Sequence, residues 1–350
     1  MKHTSTLLMI TFILTLGFSG CSKSDNSELE PEIEKQTVLY IAGYEYNGNI
    51  PINKYWKDGT EIILTDGSYH SEVNALTIAD KDVYIVGREH NQNGNPVATY
   101  WKNGTAIRLS DGNYPASAYG IAVAGNDVHI VGYEMDENGK HIATYWKNGI
   151  ASTLSNGDHN TYAKGIAVVG NDIHISGEEH HNTKETYSAI YWKNGIEKRL
   201  TNGEHNAYTN AITVFNNDVY IVGDQNTGMQ SVATYWKNGI ATDLTNGITS
   251  ASVRSIVVVD SNIHMVGYEN NANGTAVATY WKNNTATKLT DGNTRAYARS
   301  IAIDGDDVYV SGFESNGTNS VATYWKNGVA TKLTDGNNSS SAQGIAIGKE

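Results

Sequence analysis

The sequence predicts an all-β fold, a seven-bladed β-propeller with four antiparallel strands per blade. Three observations predict it. All seven tryptophans, Trp56, Trp101, Trp146, Trp192, Trp236, Trp281 and Trp325, recur at spacings of 45, 45, 46, 44, 45 and 44, each inside a Tyr-Trp-Lys triplet. A period in the forties marks propellers and arrays. Each repeat holds four short runs rich in β-branched and aromatic residues, bounded by turn residues. The two ends of the chain complement each other, so the C-terminal strand is expected to pair with the N-terminal blade and close the ring. The 350 residues would by length suggest about two domains. The repetition overrides that expectation.

The first element is not part of the ring. Residues 1–20 start with basic Lys2 and continue into the 12-residue apolar run "LLMITFILTLGF" from Leu7 to Phe18. A membrane-spanning helix needs roughly 20 such residues, so the run reads as the core of a signal peptide. Ser19, Gly20 and Cys21 follow, and "FSGC" resembles the lipobox of bacterial lipoproteins, with Phe where Leu is usual. That resemblance implies lipidation of Cys21 at the mature N-terminus. Cys21 is the single cysteine, so no intrachain disulfide is available. The stretch 22–36, "SKSDNSELEPEIEKQ", has five acidic and two basic residues and no apolar period. It reads as a solvated tether of about 20 Å, similar to the acidic leader of surface lipoproteins in Bacteroidetes-type bacteria. Losing Lys2 with the signal takes the formal charge from −12 to −13, which speaks against nucleic acid as a partner.

The propeller is expected over 37–350. In the seventh repeat the runs are "SIAI" (300–303), "VYVSG" (308–312), "VATYWK" (321–326) and "ATKLT" (330–334). "DGDD" at 304–307 predicts a tight first hairpin. "NG" at 327–328, with "DG" at 58–59 and "NN" at 283–284 in its place, predicts type I′ turns, whose two central residues need positive φ. The inner runs lack the apolar–charged alternation of a half-wet sheet, so both faces are expected to be buried between blades. The chain enters at "VLYIAG" (38–43), which matches a second strand, and leaves at "SAQGIAIG" (341–348), which matches a first strand.

The stretch "ATYWKNGVATKLTDGNNSSSAQGIAI" (322–347) is similar to the HAF-type extracellular repeat, roughly Ala-x-x-Trp-x-x-Gly, a Leu about eight residues after the Trp, then Ser-x-Ala-x-x-Ile. The match covers about residues 38–348. The family's Gly-Gly after the Leu is replaced by "TDG" or "TNG". The resemblance implies an extracytoplasmic propeller lipoprotein and no defined chemistry.

Internal copies can be compared with one another. Trp to the next Leu is eight residues in every repeat, and that Leu to the inner-strand anchor is twelve. All length variation falls between the second and third strands, where the distance from the second-strand aromatic to the Trp is 16, 17, 17, 18, 16, 17 and 16. Variable loops on a rigid scaffold are where binding usually lives. On that face one column, just before each inner strand, is expected to ring the channel mouth: Asn74, Tyr119, Lys164, Asn210, Arg254, Arg299 and Gln343. Two residues earlier stand Tyr162, Tyr208 and Tyr297 in three of the copies. Together these are the candidate ligand-binding residues, suited to a sugar or an acidic group.

Two other patterns point to chemistry. Glu45, Glu89, Glu134, Glu179, Gln225, Glu269 and Glu314 form a column of near-invariant acids. Glycoside hydrolysis needs paired carboxylates, but a residue in every blade reads as structural. "EEHH" (178–181), with His159 and His205 in neighbouring links, has metal-ligand residue types without the spacing of a defined site. His129, His174 and His264 share a column with tyrosines and read as strand fillers. No nucleophile elbow, zinc-protease motif or phosphate loop is present, so no catalytic residue, metal or cofactor is assigned. The expected function is a lipid-anchored, outer-membrane, surface-exposed and non-enzymatic monomer that binds a glycan or protein. It would meet the membrane through the anchor alone. The alternatives are a polysaccharide hydrolase or lyase on the same scaffold, and a structural surface protein without a specific ligand.

Overall fold

The computed structural model describes residues 36–181, 184–228 and 230–350. The expected signal peptide, Cys21 and residues 22–35 of the expected tether lie outside the described residues. The described chain forms 28 strands in seven four-stranded antiparallel sheets, with no helix among the described residues. The typical blade, blade 2, runs from β4 (Ser71–Ala79) through β5 (Asp82–His90) and β6 (Pro96–Lys102) to β7 (Thr105–Arg108). Blades 3 to 7 repeat it over residues 116–153, 160–199, 207–243, 251–288 and 296–332.

Blade 1 differs in connection. Its own strands are β1 (Thr37–Asn47), β2 (Ile50–Lys57) and β3 (Thr60–Ile63). Its inner strand is β28 (Ser340–Lys349), paired antiparallel to β1 from Thr37 opposite Lys349 to Glu45 opposite Ser340. The ring therefore closes on its own C-terminus as the sequence predicts. The latch extends one residue into the expected tether. Gln36 and Glu350 exchange both backbone hydrogen bonds. Lys349 also bridges to Asp304 of blade 7, and the Tyr40 hydroxyl donates to Glu350.

The core sits between blades. Seven clusters of buried residues each join two neighbouring blades, and each holds one of the seven tryptophans. Trp101 of blade 2 packs on Tyr40 and Ala42 of blade 1, and Trp56 of blade 1 packs on Tyr309 and Ala322 of blade 7. None of the seven is more than 2% exposed. Each indole bridges two blades, so each contributes burial of roughly 150–250 Å² to the ring rather than to one sheet. His129, His174 and His264 are buried, and each ring bonds the hydroxyl of a neighbouring tyrosine at 2.6–2.7 Å. They fill the strand as expected.

The hairpins between third and fourth strands have the expected chemistry. Both central residues have positive φ, as at Asn327 (51°) and Gly328 (82°), and Asn284 tolerates 70° where Gly is usual. The inner strands are longer than the sequence suggested. In blade 7 the inner strand runs Ala296–Asp304 instead of 300–303. The extra residues carry the site.

Candidate ligand-binding mouth

The column Asn74, Tyr119, Lys164, Asn210, Arg254, Arg299 and Gln343 does line one central cavity. The sequence placed these residues just before each inner strand. The structure places them inside it, at the same irregularity in all seven blades. Val73 pairs with Gly87 and Ala75 with Val86, so Asn74 between them is left unpaired. The same slip brackets Tyr119, Lys164, Asn210, Arg254, Arg299 and Gln343. Each is the extra residue of a β-bulge, a feature that re-aims one side chain. Hydrophobic patterning could not show this, because a bulge shifts the pattern without breaking the strand.

The bulge has a partner requirement that the repeats obey. Opposite it stands Gly43, Gly87, Gly132, Gly177, Gly223, Gly267 or Gly312. A Cβ at any of them would lie 1.9–2.2 Å from a backbone carbonyl oxygen of the bulged strand. These glycines are fixed by close backbone approach and not by a left-handed φ.

The residue after each of these glycines forms a second tier that sequence comparison missed: Tyr44, Arg88, Tyr133, Glu178, Asp224, Tyr268 and Phe313. Its signal was available, since it is a variable column beside an invariant one. The two tiers interlock. Arg88 bridges to Glu72 at 2.7 Å and Lys164 to Glu178 at 3.2 Å. Ser252 donates to Asp224 at 2.5 Å. Arg254 Nη1 donates to Asn210 Oδ1 at 3.2 Å, while Asn210 donates to the Val253 carbonyl at 2.7 Å. The Asn74 amide likewise donates to the Ala118 carbonyl of the next blade. Lys164 lies 4.3 Å from the Tyr119 ring centroid and 5.2 Å from that of Tyr162. Arg299 lies 5.5 Å from Tyr297 and 5.8 Å from Phe313.

Burial sets the electrostatics. It raises the Glu178 and Asp224 carboxyls above their ordinary values, against the pull of Lys164 on the first and of the Ser252 hydrogen bond on the second. It lowers Arg299, and repulsion from Arg254 lowers it further. It raises Tyr119, Tyr162 and Tyr208, so all three are neutral hydrogen-bonding groups at physiological pH. The cavity within the ring measures about 170 Å³.

The other two patterns resolve differently. "EEHH" ends the strand Asp172–His181. Strand alternation sends successive side chains to opposite faces. Glu178 reaches Lys164, whereas Glu179 bridges to Arg199 and His181 bonds Ser188. His159 stacks edge-on to His181, with ring centroids 5.4 Å apart. Among the described residues no group of three or more His, Cys, Asp or Glu is placed to hold a metal. Three members of the Glu column have basic neighbours in the third or fourth strand, whereas Glu134 has none among the described residues and is raised by burial and by Asp111. Glu45 pairs with Lys54 and Glu179 with Arg199, while burial raises the Glu89 carboxyl against the pull of the Arg108 charge. Its exception explains itself: blade 5 has Asp243 in the outer strand, and Gln225 donates to it at 3.1 Å. A Glu there would set two carboxylates together.

No family model matches the sequence, and no curated protein does. In fold the chain is similar to the β-propeller domain of the Trilobed protease from Pyrococcus furiosus, which is described as having an open velcro topology. The TM-score is 0.53 at 12% identity, over 87% of this chain and 96% of that one. It is also similar to a puromycin hydrolase (TM-score 0.52, 10% identity, 85% of this chain and 52% of that one). A puromycin-hydrolyzing peptidase from Mycobacterium tuberculosis gives TM-score 0.50 at 11% identity, over 72% of this chain and 45% of that one. The chain spans about half the length of these two. At such identities the likeness is one of fold, and a fold does not carry a function with it. The chain is a seven-bladed propeller closed by its own last strand, and its function must be argued from the mouth.

Proposed function

We propose that this protein is a surface-exposed, lipid-anchored propeller that binds a glycan or protein ligand, without turning it over, at the mouth of its channel. The observation that carries the reading is the set of seven bulges. One device, repeated in every blade, aims one side chain at a common cavity, and the seven side chains are of five different types. A purely structural ring would have no reason to vary the one column it aims inward while keeping the glycine behind it constant.

The anchor rests on the leader and on Cys21, and the extracellular setting on the likeness to HAF-type repeats. Changing Cys21 to Ser is expected to move the protein out of the membrane fraction. Unchanged membrane association would remove the lipoprotein part of the proposal. A glycan array probed with the propeller, residues 37–350, tests the binding part, with retention lost when mouth residues are replaced.

One observation favours a second reading, a hydrolase or lyase. Buried carboxylates enter the second tier only in adjacent blades 4 and 5, as Glu178 and Asp224. An enzyme needs that kind of asymmetry. Against it, Lys164 and Ser252 already hold both acids in place. Cleaved fragments appearing from a retained glycan, and stopping with Glu178→Gln, would favour the enzyme.

A further inference from the structure

The mouth is not uniform around the ring, and its charges do not cancel. The two tiers and Glu72 hold four cations, Arg88, Lys164, Arg254 and Arg299, and three carboxylates, Glu72, Glu178 and Asp224; a fifth cation, the exposed Arg295, lies 5.8 Å from the Phe313 ring. Arg88 is paired with Glu72 and Lys164 with Glu178. Asp224 is near enough to Arg254 for that charge to favour its ionised form. Arg299 is left over. Among the described residues it makes no hydrogen bond and no ion pair; its contacts are with the rings of Tyr297 and Phe313. Its Nε, like that of Arg254, is buried without a partner. An unpaired, desolvated guanidinium is costly to maintain, and its five donors in a rigid fork suit a carboxylate or sulfate. Within the tiers themselves the surplus is one charge.

Aromatic faces flank this sector, and a second group, Tyr119, Tyr133 and Tyr162, surrounds Lys164, whose charge Glu178 already pairs. The Tyr297 ring lies between Tyr268 and Phe313, with centroids 4.6 and 5.2 Å away. Tyr44, in the next blade, feels the Arg299 charge. Side chains of this kind offer an apolar face to the C–H surface of a sugar ring and a hydroxyl to its edge. The cavity of about 170 Å³ is smaller than the roughly 300–1,000 Å³ that encloses a whole small ligand. It accepts one end group.

Resting on the proposed binding role of the mouth, we propose that its ligand is a glycan ending in one singly charged acidic sugar, held by Arg254 and Arg299 against Tyr268, Tyr297 and Phe313. An acidic peptide segment fits less well. It brings a run of charges to a mouth with one to spare, and Glu72, Glu178 and Asp224 would repel the rest.

The test uses immobilised full-length protein and five probes: a uronate-terminated oligosaccharide, a mono-sulfated one, the neutral counterpart of each, and a pentaglutamate peptide. Retention of either acidic oligosaccharide over its neutral counterpart by about tenfold or more is expected, since each tenfold is about 1.4 kcal/mol, within the range of one charge-assisted bond. Arg299→Gln should abolish that preference, Arg299→Lys should restore part of it, and Lys326→Gln, on the opposite face, should leave it. A melting curve of each variant shows that the ring is intact. Equal retention of acidic and neutral sugars, preference for the peptide, no retention of any probe, or an intact preference in Arg299→Gln overturns the inference. The first two results, if still sensitive to Asn210→Ala or Tyr162→Ala, leave the mouth as a binding site for another ligand. Insensitivity to every mouth substitution removes both readings.

Discussion

The two faces of the ring are built from the same repeats and use their polar residues in opposite ways. On the face of the uniform turns, a polar trio in most blades is committed to the scaffold. Asn103 accepts from the Val83 amide and donates to Asp82, which also takes Lys102 at 2.7 Å. The same trio returns with Asp127, Asp172, Asp218 and Asp307. Blade 6 substitutes Asn262 for the Asp, and Asn283 bonds it instead. On the mouth face the bulge and its glycine repeat as strictly, but the side chains they present do not. Repetition there stops at the Cβ. The lesson is that positions equal in every blade describe the architecture, whereas a variable column locked in an invariant backbone describes what the molecule is for.

The comparison can be broken at the level of the whole ring. Both faces depend on β28, which supplies Ala342 and Ile345 to the cluster around Trp56. Deleting residues 341–350 should lower Tm by about 10 °C or more, or abolish cooperative melting, because it uncovers that cluster and the edge of β1. An unchanged Tm would mean that the ring does not depend on the latch.

Glycine substitutions sharpen the contrast, because the two faces need glycine for different reasons. Gly223→Ala puts a Cβ 1.9 Å from the Tyr208 carbonyl oxygen, and backbone cannot step aside as a side chain can. A loss of about 3 kcal/mol is expected. Gly149→Ala, on the uniform face, meets nothing within 4 Å but sits at φ 82°. It should lose about 1–2 kcal/mol. Chemical denaturation of the pair measures the ordering, and a reversal would contradict the close-approach account of the bulge.

Much of this was legible in the sequence, and the reasons differ by element. Seven tryptophans at a fixed period define seven blades because each must fill one gap between sheets. The closing strand was visible because "SAQGIAIG" supplied the one strand that "VLYIAG" lacked. The ring column was found by position alone. Its bulge was not, since a single unpaired residue leaves the apolar alternation readable on both sides. Glu178 and Asp224 were missed because near-invariant Glu179 and its equivalents drew attention to the neighbouring column, which turns outward. Period-two geometry separates the two columns, but only once the strand is known to continue to His181.

A subtler effect follows from burial in the mouth. Asp224 has a raised carboxyl, so the folded state holds its proton over a range in which the unfolded chain has lost it. Its contribution is fully present below the unfolded value of 3.8 and is lost as pH rises through the raised folded value. Asp224→Asn removes that dependence. The stability of the variant relative to the parent should therefore improve as pH climbs out of the acidic range. Asp307, exposed on the uniform face and lowered by Lys326 and Asn327, has the opposite sign. Asp307→Asn should compare worse with the parent as pH rises through the same acidic range. Parallel slopes for the two variants in pH-dependent melting would show that the faces are not electrostatically distinct.

The most direct test of the central claim sets the two faces against each other in one binding experiment. Arg254→Ala with Arg299→Ala removes two cations from the mouth. Lys147→Ala with Lys326→Ala removes two from the uniform face, where each is bound to an aspartate. The net charge change is the same, so long-range attraction falls equally in both. With any ligand retained by the parent protein, the arginine pair should lose binding and the lysine pair should keep it. Loss in the lysine pair alone would place the ligand on the face assigned here to the scaffold.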